Sequence, residues 1–397
     1  MRPGNIRDIL TPVNIAGIII VGLVLFFSAY DILVIESSDY PDEIVVGAIL
    51  PLSGSLSNYG EDFKRGIDIA VLEINEGGGI FGKELVVDYF DNIGNPYMSK
   101  WAINYYADNG IPAVIGAVSS TATMAIAPIA EERGIVLISP SATNPSLSDY
   151  KNYVFRTISS DKYQGRGIGR LLSVLHPELK RVALIYSDDD YGRGLKESVF
   201  ETYPKYGGHF IMVESFDPKA AIYSDLAEKI KAADPDGIIL IGYYEQAVSI
   251  LEAAEDAGID AVWFGSEGLI DDGLIEEIGP YSEGLTATMQ SSQIHSDRFE
   301  KKYYEMYGSD VINWPVPYGY DTTKILSEAI ADGGYDADEI KDSMKEIRYL
   351  GLCGPRHFDE NGDIYPAYDV LTVRNGEWER IKWGDIVSRE LKETYEH

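Results

Sequence analysis

The 397-residue chain has a single cysteine, Cys353. An intramolecular disulfide is therefore impossible, and so is a zinc site built from a cysteine cluster. The five histidines, His176, His209, His295, His357 and His397, are scattered, with no pair at helical spacing. Each reads as a surface or packing residue rather than a metal ligand. Basic residues are few: 33 Lys and Arg stand against 64 Asp and Glu, for a net charge of −31. That balance excludes a general basic surface for nucleic acid or anionic lipid. Catalytic signatures are missing too, with no G-x-S-x-G elbow, no H-E-x-x-H helix and no G-x-x-x-x-G-K-[ST] loop. Carboxylates abound, but no spacing positions a particular acid–base pair.

What the chain does have is alternation. Ile44–Leu50, Glu84–Phe90, Ala113–Ile115 and Ile135–Ile138 read as buried strands, separated by helical stretches at Glu61–Glu76 and Pro96–Asn109. The order restarts at Val182–Tyr186 and runs through Phe210–Glu214, Gly237–Ile241 and Ala261–Phe264. Two such blocks predict an α/β protein with two doubly wound parallel sheets. Gly77-Gly78-Gly79 follows a helix and precedes a strand, the reverse of a phosphate loop, and reads as a turn. After Leu285–Met289, helices are expected at Ser296–Tyr307, Thr322–Asp332 and Asp336–Glu346. Asn361-Gly362 then marks a hairpin turn.

The N-terminus differs from the rest. Val13–Tyr30 is nearly all apolar, broken only by Asn14 and Ser28, with Arg2 and Arg7 before it and acidic residues after it. Its length sits at the lower edge of the roughly 17–25 residues a membrane-spanning helix needs. The basic flank puts the N-terminus in the cytoplasm and the remainder outside. Phe27-Ser28-Ala29 makes a poor cleavage site, so an uncleaved anchor is favoured over a removed signal.

The chemistry-bearing positions cluster where strands end. Between Ala113 and Pro145 two apolar runs each end in hydroxyls: Ser119, Ser120, Thr121 and Thr123 after the first, Ser139, Ser141 and Thr143 after the second. In an open parallel sheet both junctions lie at the carboxyl edge, where such sheets bind ligands. Short hydroxyls and free N–H groups at helix starts suit a carboxylate; each also reads as ordinary capping. Four further junctions follow strands: Ser53–Tyr59, Ser187–Gly192, Gly242–Glu245 and Gly265–Gly268. Among them Glu267 could receive an ammonium group through a charge-assisted hydrogen bond. Tyr191 and Tyr243 each offer a flat apolar face and one hydroxyl. Asp188–Asp190 reads as a solvated acidic turn, and Ser159-Ser160-Asp161 as a helix-start signal.

Taken together these junctions resemble the extracytoplasmic solute-binding proteins of the branched-chain amino acid (leucine/isoleucine/valine-binding) type that serve ABC transporters. The landmarks are VGAILPLSGSLSNYGEDFKRGIDIAVLEINEGGGIFG, IGAVSST, ISPSATNPSL, DDDYGRG, IGYYEQA, GSEG and CGPRHFDENGD, in this order from Glu43 to Trp378. The resemblance implies a type I periplasmic-binding-protein-like fold with a three-crossing hinge. Crossings are expected near Ser159–Ser160, Met289–Ser291 and Gly354–Pro355. The domains are then a basic tip and anchor or signal (1–36), a linker (37–42), lobe 1 (43–159 and 290–354), lobe 2 (160–289 and 355–387) and a polar tail (388–397). It implies that Ser120 and Thr143 hold the ligand's α-carboxylate. The Ser141 carbonyl, Thr143 and Glu267 would hold the ammonium, and Tyr59, Tyr191 and Tyr243 would line the pocket. Ser141 stands where relatives often carry alanine, and its hydroxyl is expected to influence selectivity. The implied function is capture of an amino acid by hinge closure, with ABC permease subunits as partners and no cofactor, metal or nucleic acid. The implied protein is a monomer outside the cytoplasm, held to the membrane by Val13–Tyr30 or secreted after cleavage. Alternatives are a ligand-sensing ectodomain, or a binding protein for a short amide or urea; an enzyme acting in the cleft is a more distant reading.

Overall fold

The structure is a computed structural model that describes residues 40–291, 296–365 and 368–382. The apolar run Val13–Tyr30 and the tail 388–397 lie outside the described residues. Among those described, no helix is long and apolar enough to cross a membrane.

The first block of alternation folds as β1 (Glu43–Leu50), α1 (Ser57–Glu76), β2 (Glu84–Asp91), α2 (Pro96–Asp108), β3 (Ala113–Gly116), α3 (Ser120–Arg133), β4 (Val136–Ser139) and β5 (Val154–Arg156). Its five strands form one parallel sheet in the order β2-β1-β3-β4-β5. The strand sequences are apolar on both sides because helices cover both faces. Ile44, Val46, Ala48 and Leu50 point to one core, while Ile49 joins Val114 and Leu137 in the other.

The second block is α4 (Asp161–Leu175), β6 (Val182–Ser187), α5 (Asp190–Thr202), β7 (Phe210–Phe216), α6 (Ser224–Ala233), β8 (Gly237–Ile241), α7 (Tyr244–Ala257), β9 (Val262–Gly265), α8 (Asp272–Ile278) and β10 (Thr286–Gln290). Its cores repeat the pattern: Ile238 and Leu240 face α6–α8, and Ile239 and Ile241 face α4 and α5.

The chain then returns to the first lobe as α9 (Asp297–Tyr307), α10 (Pro315–Gly333), α11 (Ala337–Glu346) and the hairpin β11 (Tyr349–Gly351) and β12 (Gly354–Arg356). Helix α10 packs on α1 at backbone contact. A Cβ on Gly66 would fall 1.9 Å from the Val316 carbonyl oxygen, and one on Gly319 would fall 2.3 Å from that of Phe63. Only glycine permits that approach. Helix α10 starts at Pro315, seven residues before the expected Thr322. Proline opens it at no cost, since the first-turn N–H groups have no intrahelical partner.

Two expectations need correction. The second sheet is not wholly parallel. Its order is β14-β13-β10-β9-β8-β6-β7, and β13 (Tyr368–Arg374) and β14 (Glu377–Arg380) run antiparallel to their neighbours. Asn375 and Gly376, both at positive φ, form the tight turn between them. The third crossing also falls later than Gly354–Pro355. Phe358 and Ile364 bridge to each other and bury into the first lobe's core, so the chain leaves that lobe only between Ile364 and Tyr368. Burial of these two side chains, about 1.5–3 kcal/mol each, holds the segment there.

Candidate functional site

The carboxyl edges of β1, β3 and β4 face those of β6, β8 and β9. One small enclosed cavity lies between them, lined by Leu56, Tyr59, Val118, Ser120, Ser141, Thr143, Tyr191, Tyr243, Glu267, Gly268 and Trp314. All seven residues singled out from the sequence therefore converge on one space, four from the first lobe and three from the second.

The first-lobe wall is held by its own hydrogen bonds. Ser119 caps α3, accepting from the Ala122 N–H at 3.2 Å. Ser139 donates to the Ala117 carbonyl at 2.8 Å and accepts from the Ala142 N–H at 3.0 Å, tying the two junctions together. Ser120 Oγ accepts from the Asn144 N–H at 3.3 Å. The Ser141 hydroxyl donates to the Val118 carbonyl at 2.8 Å. That hydroxyl thus fastens one junction to the other, which accounts for serine here differently from the expected influence on selectivity.

The second-lobe wall is charged and aromatic. Glu267 follows β9 and is 6% exposed. A Cβ on the adjacent Gly268 would lie 2.3 Å from the Gly242 carbonyl oxygen, so glycine lets this turn settle against the end of β8. Gln164 on α4 donates to Glu267 Oε2 and, at 3.0 Å, to Thr288 Oγ1. Burial raises the Glu267 carboxyl above its ordinary pKa, opposed by the hydrogen bond from Gln164. The Tyr191 and Tyr243 rings are tilted against each other at 5.1 Å, and Tyr59 meets Tyr243 edge-on at 6.3 Å. Burial lifts the hydroxyl pKa of all three tyrosines, and the Glu267 charge adds to it, so all stay protonated.

The lobes touch across the cleft. Tyr59 donates to the Gly268 carbonyl at 3.3 Å, the Asp190 N–H to Thr121 Oγ1 at 3.2 Å, and Asn144 Nδ2 to the Asp190 carbonyl. The conformation is closed. Outside the cavity an open groove of about 490 Å³ shares Tyr59 and Trp314 with it, so these two rings form the partition. They stand 6.2 Å apart.

Three neighbours of the site escaped the sequence reading: Trp314, Gln164 and Asp161. Proline at a first helical position could have flagged the start of α10 and hence Trp314 beside it. Asp161 was legible only as part of a helix start. It is fully buried, and its carboxyl pKa is pushed well above the usual range by burial and then by Glu267, against the pull of Thr143 and Arg156. The turn Asp188–Asp190 is solvated only in part: Asp188 is exposed and pairs with Arg193 at 2.6 Å, while Asp189 is part-buried and caps α5 by accepting from the Gly192 N–H at 2.8 Å.

Two α/β lobes that close their carboxyl edges over a buried cavity, apolar in most of its wall with a few polar groups, define a bilobal solute-binding protein. The chain belongs to the periplasmic binding protein family, whose model, described as "Periplasmic binding protein", matches residues 43–377. It is 26% identical over 333 residues to the leucine-, isoleucine-, valine-, threonine- and alanine-binding protein of Pseudomonas aeruginosa, covering 81% of this chain and 87% of that one. It is 28% identical over 338 residues to the leucine-specific-binding protein of Salmonella typhimurium, covering 84% and 91%. Among solved structures, a leucine-binding protein from Thermotoga maritima superposes with a TM-score of 0.78 at 27% identity, covering 85% of this chain and 98% of that one. The branched-chain amino acid transporter substrate-binding protein of Streptococcus pneumoniae, in complex with isoleucine, gives 0.75 at 28% identity, covering 86% and 99%. Family membership places the protein outside the cytoplasm, among solute-binding proteins rather than enzymes.

Proposed function

We propose that this protein captures a branched-chain aliphatic amino acid and delivers it to the permease of an ABC importer. The observation that carries the reading is the division of the cavity. The first lobe presents hydroxyls and helix-start N–H groups, which suit a carboxylate. The second presents a buried carboxylate, which suits an ammonium. Leu56, Val118 and the aromatic rings supply apolar wall for a side chain. In this reading Ser120 and Thr143 hold the α-carboxylate, and the Ser141 carbonyl and Glu267 hold the ammonium. Ligand bridging the two walls favours the closed state over the open one, which is what drives closure. Lobe 1 comprises residues 43–159 and 290–364, and lobe 2 residues 160–289 and 368–382. Val13–Tyr30 anchors the chain beside its permease, and a single copy suffices because one chain supplies the whole site.

The test is a thermal-shift screen of the detergent-solubilised full chain against the twenty amino acids, urea and short amides. The largest shift is expected with leucine, isoleucine or valine. No shift with any amino acid, or a shift with urea or an amide alone, overturns the reading.

A further inference from the structure

Among the described residues, seven buried side-chain polar atoms lack a hydrogen bond of ordinary length, and five of them belong to the neighbours of Glu267, with only looser contacts from Thr143 to Asp161 and from Tyr191 to Glu267 and Ser266. They are both carboxyl oxygens of Asp161, Gln164 Oε1, the Tyr191 hydroxyl and Ser266 Oγ. Such atoms are costly to leave unpaired, about 1–3 kcal/mol each, so their gathering at one place calls for a function. Asp161 is the most demanding of them. It opens α4 directly after the first hinge crossing, and its N–H donates to the Thr143 carbonyl at 2.9 Å. Its side chain is fully buried behind the cavity, in the field of Glu267.

Two carboxyl groups in one buried space cannot both ionise without a compensating positive charge. The cation that acts on Asp161 is Arg156 on β5, and its guanidinium is already committed. It donates to Asp363 Oδ1 at 2.6 Å, the Asn144 carbonyl at 2.8 Å and Ser148 Oγ at 2.8 Å. The other groups facing the pair are the hydroxyls of Tyr59 on α1, Tyr191 on α5, Tyr243 just before α7 and Tyr368 on β13, all neutral. A proton is the charge that remains available in the empty site.

We propose that Asp161 and Glu267 hold one proton between them when the site is empty, and that arrival of an ammonium-bearing ligand expels that proton to solvent. The inference rests on the amino acid reading above. The balance is simple: one carboxyl O–H bond breaks, its proton passes to buffer, and the ammonium takes over the proton's charge from the cavity side, against Glu267. The pair carries −1 with the proton and, with the ammonium bound, again sums to −1. The site therefore exchanges one positive charge for another rather than burying a new one. Asp161 acts here as a positioning residue, setting the protonation of Glu267 without touching the ligand.

The experiment is calorimetric titration of the full chain with leucine, isoleucine and valine, in buffers of different ionisation enthalpy at matched pH between 5 and 8. Release of about one proton per ligand is expected on the acidic side, with affinity rising up to about tenfold per pH unit there. Asp161→Asn should bind with little proton release and a flatter pH profile. Binding without proton release anywhere in that range overturns this inference but leaves the amino acid reading standing; failure of every amino acid to bind overturns that reading instead. Should Asp161→Asn fail to fold, the wild-type proton count and affinity slope decide the matter alone.

Discussion

The two walls of the cavity are made of different materials. The first lobe presents neutral hydroxyls whose bonds run to their own backbone, Ser139 to Ala117 and Ser141 to Val118. The second presents Glu267 with Asp161 behind it, among polar atoms that have no hydrogen bond of ordinary length. One wall is finished before any ligand arrives, and the other is left incomplete. A preorganised wall loses little freedom on binding, whereas an unsatisfied one gains most from a ligand. Under the proposed capture of an amino acid, this contrast gives initial docking to the first lobe and the closing interaction to the second.

The largest way to break this contrast is Glu267→Ala. If the second wall supplies the closing interaction, truncating it should weaken amino acid binding by about 2–5 kcal/mol, read by calorimetry. Unchanged affinity would erase the distinction between the walls. Thr143→Val removes one hydroxyl from the finished wall. About 1.5–3 kcal/mol should be lost if that hydroxyl meets a charged ligand group, measured in the same titration. Ser141→Ala sharpens the contrast further. Its hydroxyl serves the wall rather than the ligand, so about 0.5–1.5 kcal/mol should come off folding stability in denaturant melts. Ligand preference should stay the same.

The smallest effect concerns pH. Asp161 and Glu267 have carboxyl pKa values above their ordinary range in the folded, unliganded protein. The folded state therefore keeps protons that the unfolded state has released. This contribution to stability is full below the ordinary carboxylate range and is lost as pH rises through the folded values. Unliganded protein should accordingly gain melting temperature on mild acidification toward that range, and Asp161→Asn should flatten the trend. Differential scanning fluorimetry from pH 5 to 8 measures both.

Much of this was legible in the sequence because the signals are local. Ile238–Ile241 is apolar on consecutive residues, and that pattern belongs to strands covered on both faces. Ser120, Thr143 and Glu267 lie in the short junctions that follow apolar runs, so the rule for parallel sheets puts them at the edge where such sheets bind ligands. The antiparallel strand β13 was not legible as such. Its direction depends on a return from the other lobe after Ile364, although Asn375-Gly376 did carry the local turn signal. The late third crossing escaped for a similar reason, since Phe358 and Ile364 are ordinary apolar residues until a core is there to receive them.

Asp161 shows where the sequence stops. Its serine-flanked helix start is a correct local reading, and Ser160 does cap α4, accepting from the Lys162 N–H at 3.4 Å. By itself the sequence determined the alternation, the strand ends and the residue types that line the cavity, because each follows from neighbours along the chain. Only the tertiary structure decided that Asp161 lies in the field of Glu267, 106 positions away. The same closure made Tyr59 and Trp314 a partition. Burial and electrostatic coupling depend on distance through space, and that distance is set by two lobes closing, not by order in the chain.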